Sequence, residues 1–200
     1  MFSFTSGPIR KSFRTIPTLQ TERLTLRKIL PRDEDDMYEY SRDPETSRYL
    51  LWEPHSSRNY TRAHIRYLQS RYRSASFFDW ALTLKDSGKM IGTCGFTEIY
   101  EKKKLAEIGY VISPKYHRQG FAPEAVEKVL EHGFLTLGLE GVFARFMEDN
   151  IASRKILERL GFCWDESKKE SIVKRGKKQS ILTFYLSRNT FLEKNKKTEE

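Results

Sequence analysis

Two hundred residues are enough for one domain with a sizeable core, and nothing in the chain forces two. With 32% charged residues, 10 Tyr and 13 Phe, the composition excludes an intrinsically disordered chain, and no apolar run approaches the roughly 20 residues needed to cross a bilayer. The formal net charge of +9 draws the protein toward anions, whether a phosphorylated ligand, an acidic protein surface or nucleic acid, without choosing among them.

In chain order, residues 1–19 read as an N-terminal arm. Phe2, Phe4, Ile9, Arg10, Lys11, Phe13 and Arg14 make it basic, but it has no signal-peptide core or cleavage site, which predicts a cytoplasmic protein. Leu24 and Leu26 alternate with polar residues in Thr21–Arg27, as in a half-buried strand. Pro31 with Asp33, Glu34, Asp35 and Asp36 starts a helix, the acids complementing its N-terminus; a substrate-facing acidic patch is the alternative. A second helix is expected from about Thr61 to Arg73, with Ile65, Leu68 and Tyr72 on one side. Asp79–Leu84 and Met90–Phe96 read as strands joined by a turn at Lys85–Lys89, and Leu105–Ile112 as the next strand after a solvated tip at Glu101–Lys104.

The stretch that follows, Tyr116 to Ala125, leads into an apolar helical periodicity over Ala122, Ala125, Val126, Val129, Leu130, Phe134 and Leu137. It reads as strand, loop and helix start, a place where backbone N–H groups and the helix dipole hold an anion. There is no Gly-Lys-Ser/Thr ending and no triple-glycine fingerprint. The spacing alone leaves open a plain turn in which Gly120 only relieves crowding. Beyond it come a strand at Gly141–Phe146, a helix from Asn150 to Gly161, and a hairpin of 162–173 and 180–186 across the basic tip Lys174–Lys178. Residues 191–200 read as a basic tail, disordered from Lys194. Cys94 and Cys163 sit in no metal-type spacing and read as two buried free thiols, with a single pairing between them as the alternative.

Three of these stretches carry a resemblance. His117-Arg118-Gln119-Gly120-Phe121-Ala122 resembles the acetyl-CoA pyrophosphate loop of the GNAT superfamily of N-acetyltransferases (Gln/Arg, two residues, Gly, one residue, Gly/Ala), with His117 in place of the first Gln/Arg. Thr21-Glu22-Arg23-Leu24-Thr25-Leu26-Arg27 resembles the opening of the RimJ/RimL-like subgroup, and Asn150 to Phe162 resembles the family's "N-x-x-S/A-x-x-x-x-x-x-L-G-F" motif. The likeness covers about residues 20–190, the expected domain. It implies a mixed α/β fold, a twisted, mostly antiparallel sheet of six or seven strands that splays between the fourth and fifth, flanked by helices.

The resemblance implies transfer of an acetyl group from acetyl-CoA to a primary amine, most like the N-terminal acetylases of ribosomal proteins. A small-molecule amine acceptor or a non-catalytic acetyl-CoA sensor is the alternative. A protonated amine needs a base before it can attack a thioester, and Glu107 is the first choice, matching the "A-E-I" glutamate of some family members; a surface carboxylate paired with a cation is the competing reading. Many members use as acid a tyrosine where this chain has Leu157; Ser153 is the substitute implied here, with a serine bonding its own helix backbone as the alternative. Acetyl-CoA is expected along Val111 and Ile112, on the loop at His117, Arg118, Gln119, Gly120, Phe121 and Ala122, and at Asn150 and Lys155. A plain cap for Asn150 and a solvated charge for Lys155 are the alternatives. Trp52 reads as a core plug or as a wall of the acceptor site. A monomer or homodimer is expected, with no membrane partner and no metal. Nucleic acid is disfavoured because no recognition helix, zinc motif or aromatic RNA-binding signature is present.

Overall fold

The computed structural model describes residues 16–72, 77–168 and 170–196. The first strands are β1 (Leu19–Gln20) and β2 (Leu24–Lys28), followed by a 3-10 turn at Pro31–Asp33 and helices α1 (Glu34–Ser41) and α2 (Arg58–Arg71). A meander of β3 (Phe78–Leu84), β4 (Met90–Tyr100) and β5 (Leu105–Ile112) leads to α3 (Phe121–Glu131), which runs on into a π turn at His132–Thr136. After these come β6 (Gly141–Met147), α4 (Ile151–Arg159), β7 (Cys163–Trp164), β8 (Glu170–Lys174), β9 (Lys177–Ser187) and α5 (Arg188–Lys196).

The strands form one sheet in the order β1-β2-β3-β4-β5-β6-β9-β7, with β8 also on β9. Among the described residues every pairing is antiparallel except that of β5 with β6. That parallel ladder holds only at Leu105–Gly141, Ala106–Val142 and Glu107–Phe143, although β5 continues to Ile112 and β6 to Met147. The sheet is therefore open beyond Glu107. Counting from β2, these are the fourth and fifth strands of the meander, where the splay was expected.

Period-two alternation sends side chains to two cores. Phe78, Trp80 and Leu82 of β3 and Ala106, Ile108 and Ile112 of β5 pack with Val126, Val129, Leu130 and Phe134 on one face. On the other face Ala81 and Met90 meet Ile29, Met37, Tyr40, Ile65, Leu68 and Tyr72 beneath α1 and α2. Each fully buried Leu, Ile or Phe contributes about 1.5–3 kcal/mol.

The structure departs from the expectations in four places. Asp165 Oδ1 accepts the Ser167 amide at 3.1 Å and its hydroxyl at 2.5 Å, and this turn breaks the expected 162–173 strand into β7 and β8; with the short β1 added, nine strands among the described residues replace six or seven. Ser57 Oγ accepts the Tyr60 amide at 3.2 Å, which starts α2 ahead of its apolar periodicity. Cys163 is exposed on its short edge strand, whereas Cys94 is buried. The expected tail begins inside α5: Ser187 Oγ caps the Thr190 amide at 3.1 Å, and Phe191 is buried with its ring 5.0 Å from Phe134. At the other end, residues 1–15 of the expected arm lie outside the described residues, while Pro17 accepts the Trp80 indole N–H at 2.8 Å. No helix among the described residues is long and apolar enough to cross a membrane.

Candidate active site

The loop between β5 and α3 passes through Arg118 and Gly120, both at positive φ, 60° and 83°. Left-handed residues bend a short loop so that its N–H groups converge on an anion-sized concavity. His117 Nε2 bonds the Ile112 carbonyl at 2.9 Å and the Gln119 amide donates to the Lys115 carbonyl at 3.1 Å, so both side chains turn back on the loop. What the loop presents is backbone, plus the exposed Arg118. Gly120 caps α3, and Glu124 N–H makes the first intrahelical bond, to the Gly120 carbonyl at 3.3 Å. The Phe121 and Ala122 amides precede it and by helix geometry have no internal partner. The buried Phe121 ring pins this end to the core.

Arg23 braces the loop from β2. Its Nη1 donates to the Gln119 carbonyl at 2.8 Å, its Nε to Glu124 Oε2 at 2.8 Å, and its guanidinium lies 4.3 Å over the Phe121 ring. The arginine of the T-E-R-L-x-L-R opening thus has a physical reason: it fixes the turn into α3. Arg27 pairs with both oxygens of buried Asp33 at 2.6 and 2.8 Å, and Asp33 also accepts the Leu30 amide at 2.8 Å, so this acid anchors the turn before α1.

Backbone direction decides which groups face the gap between β5 and β6. The Ser113 N–H reaches the Ile91 carbonyl at 2.7 Å in the β4–β5 register, and alternate residues of an antiparallel ladder face the same neighbour. Val111 and Gly109 therefore spend their backbone groups on β4, while Tyr110 and Ile112 direct theirs into the gap. Of the two expected strand residues, Ile112 offers its amide there and Val111 instead faces the α1–α2 side.

Across the gap, Asn150 Oδ1 accepts the Ser153 amide at 3.1 Å and caps α4, leaving the Asn150 amide nitrogen as its donor. The Ser153 hydroxyl lies 2.8 Å from the Tyr110 hydroxyl, so the pair spans from β5 to α4. Burial pushes the Tyr110 phenol well above its ordinary value, which keeps its proton on. Leu157 is fully buried, and Lys155 is exposed on the outer face of α4. Glu107 is gripped by Arg145, whose Nε and Nη2 reach its two oxygens at 3.0 Å each, and Arg145 extends to Glu170 at 3.4 Å.

A cavity of about 240 Å³ opens on the α1–α2 face, lined among others by Trp52, His55, His64, Asp79, Gly109 and Val111. Trp52 is thus a wall of this cavity, its ring 5.4 Å from His55. Burial lowers both imidazoles, His55 to about 4, so they are neutral at pH 7. The 43–57 segment forming this wall is tied down by the β8–β9 hairpin. Lys174 Nζ donates to the carbonyls of Ser47 at 2.5 Å and Arg48 at 2.9 Å and to that of Leu50, and Arg175 pairs with Glu53 at 2.7 Å.

A family model described as an acetyltransferase (GNAT) domain matches residues 23–163. The chain belongs to the GNAT acetyltransferase family. YoaA, an uncharacterized N-acetyltransferase of Bacillus subtilis (strain 168), is 35% identical over 146 residues, 73% of this chain and 82% of YoaA. The ribosomal protein uS5-alanine N-acetyltransferase of Escherichia coli (strain K12) is 26% identical over 152 residues, 72% of this chain and 77% of that protein. An acetyltransferase structure from Bacillus anthracis superimposes with a TM-score of 0.75 at 21% identity, covering 86% of this chain and 99% of that one, a likeness of fold. This GNAT protein is an acetyl-CoA-dependent N-acetyltransferase.

Sequence reasoning passed over four side chains that this GNAT site brings together: Asp79, Tyr110, Arg145 and Lys174. The alternation that placed Glu107 on one face of β5 also places Asp79 and Thr83 on that face of β3, a signal present in the sequence. The Tyr110–Ser153 and Arg145–Glu107 contacts had no such signal, because each joins elements far apart in the chain.

Proposed function

We propose that this GNAT enzyme acetylates the N-terminal amine of a peptide or protein, with ribosomal proteins as the leading class, in line with the RimJ/RimL-like opening at Thr21–Arg27. The observation that carries the reading is that the cavity over Gly109 and Val111 adjoins the edge of β5 that β6 leaves unpaired. Ligand pockets usually span roughly 300–1,000 Å³. A cavity of about 240 Å³ takes the reacting end of an acceptor, one residue and its amine, while the remainder lies outside. The E. coli relative that acetylates an alanine of uS5 supports the same class.

Acetyl-CoA fits the residues present: backbone amides at Gly120–Ala122 with Arg118 for its phosphates, the Ile112 amide and the Asn150 side chain for its arm, and exposed Lys155 as a further cation. Bound there, it supplies the acetyl thioester. The protein's part is to hold the amine, receive its proton and stabilise charge on the carbonyl oxygen with fixed N–H groups. In this reading Ser153, with its Tyr110 partner, hydrogen-bonds the departing thiolate, and Glu107 is held beside the gap by Arg145.

Thiol release from acetyl-CoA tests the proposal, using peptides with free Ala- or Ser- N-termini, the same peptides N-terminally blocked, and a set of small amines. Turnover of the free peptides alone is expected. Turnover confined to small amines overturns the peptide assignment, and acetyl-CoA binding without thiol release from any amine favours a sensor.

A further inference from the structure

Asp79 opens the exposed-to-cavity row of the sheet. Register aligns it with Gly95 on β4, and Gly95 with Gly109 on β5, so two residues without side chains follow the acid along one face. A Cβ at Gly95 would fall 2.1 Å from the Phe78 carbonyl oxygen and 2.9 Å from Asp79 Oδ1; one at Gly109 would fall 2.7 Å from Thr97 Cγ2. The carboxyl group thus leans over Gly95, about one strand spacing of ~4.8 Å short of Gly109 and the unpaired edge of β5. The strand itself is held still, because the Tyr72 hydroxyl donates to the Asp79 carbonyl at 2.9 Å.

Among the described residues, the titratable side chains packed on this acid are neutral at pH 7, and the charged Arg27, Lys28 and Asp33 lie behind Tyr72. Tyr40 of α1 and Tyr72 at the end of α2 are pushed up by burial, as is the Cys94 thiol of β4. His55 and His64, across the cavity, are pushed down by burial. Thr93 of β4 contributes only a hydroxyl. Glu107, the other acid on this side of β5, has both oxygens held by Arg145, whereas Asp79 is the one carboxyl group among the described residues that line the cavity. Burial pushes the Asp79 carboxyl up to about 7, against hydrogen bonds from Thr93 and the Trp80 amide that pull it down. A carboxyl group poised near neutrality can take a proton and give it up again.

We propose that Asp79, rather than Glu107, is the catalytic residue that takes the proton from the acceptor amine, directly or through one water over Gly95. The inference rests on the acetyl-transfer reading above. The ammonium gives one proton to the Asp79 carboxylate, and its freed lone pair forms the bond to the acetyl carbon. The carbon–sulfur bond breaks with its electron pair going to the CoA sulfur, which gains the second proton lost by the nitrogen. Asp79 then releases its proton to water. The same placement selects the acceptor: a single amine on a compact apolar group, since the described lining of the cavity has one acid and neutral aromatic walls, and a polyamine would leave further charges unmatched.

The test is kcat against pH with a turned-over peptide, for wild type, Asp79→Asn, Asp79→Glu and Glu107→Gln, with acetyl-CoA affinity measured by equilibrium titration. Wild type should lose turnover as pH falls through about 7, because protonated Asp79 cannot accept. Asp79→Asn should lower kcat about 100-fold and remove that limb, with acetyl-CoA affinity unchanged, and Asp79→Glu should restore part of both. An Asp79→Asn enzyme that keeps the limb and a near wild-type kcat overturns the proposal, as does loss of the limb in Glu107→Gln alone. Should Asp79→Asn not fold, carbon-13 titration of the carboxyl in the wild-type protein decides: a midpoint near 7 supports the role, and one at the ordinary aspartate value of about 3.9 overturns it. Wild type that releases no thiol with any amine fails the acetyl-transfer reading itself, and the Asp79 assignment with it.

Discussion

Gly120 and Arg23 divide the work of the anion loop. Gly120 adopts a φ of 83°, where an L side chain is strained by roughly 1–2 kcal/mol, and a Cβ there would sit 3.2 Å from Arg23 Nη2. Arg23 in turn holds the Gln119 carbonyl and Glu124, so strain at Gly120 would be passed to the brace. Gly120→Val should weaken acetyl-CoA binding about tenfold or more while leaving the fold intact, read by equilibrium titration alongside circular dichroism. Unchanged affinity would remove the loop from the acetyl-CoA site. His117, which departs from the family's usual residue, spends its ring on the Ile112 carbonyl, so its side chain shapes the loop rather than reaching outward.

In sequence the β8–β9 hairpin is a basic tip at Lys174–Lys178. In the fold its turn is Arg175-Gly176, both at positive φ, and two of its cations are engaged. Lys174 holds three carbonyls of the 43–57 segment and Arg175 holds Glu53, so the hairpin fastens the wall that carries Trp52 and His55. Burial lowers the Lys174 ammonium, with Arg175 adding to the effect, and the carbonyl dipoles offset the charge. Lys174→Met keeps an unbranched apolar stem but loses the charge and the donors that hold these carbonyls. It should raise the acceptor KM several-fold and leave acetyl-CoA affinity unchanged, whereas a purely structural effect would shift both in steady-state and binding measurements.

At the scale of the molecule, the splay between β5 and β6 is what makes a sheet into a site. Behind the sheet lies the core of α3, the π turn that follows it and α5, in which Phe134 and Phe191 pack together. Removing the Phe191 ring should cost about 3–5 kcal/mol of stability by the cavity it leaves. Urea unfolding of Phe191→Ala checks this, and a change below about 1 kcal/mol would mean that α5 is peripheral to the fold.

Alternation and helical periodicity make β2 to β6, α3 and α4 legible in the sequence, because each is a local pattern of apolar spacing with its own cap or turn. The motifs at His117–Ala122 and Asn150–Phe162 named the family for the same reason: they are contiguous. The nine-strand count, the burial of Phe191 and the exposure of Cys163 were not legible, since they depend on what packs against a segment. The site divides along the same line. Amides at a helix start, a capping Asn and a glycine at positive φ follow from a few consecutive residues. The pairing of Glu107 with Arg145, of Tyr110 with Ser153 and of Lys174 with a distant loop, and the alignment of Asp79 with Gly95 and Gly109, arise only when strand register brings remote residues onto one face, and that register is set by the packing of the whole sheet.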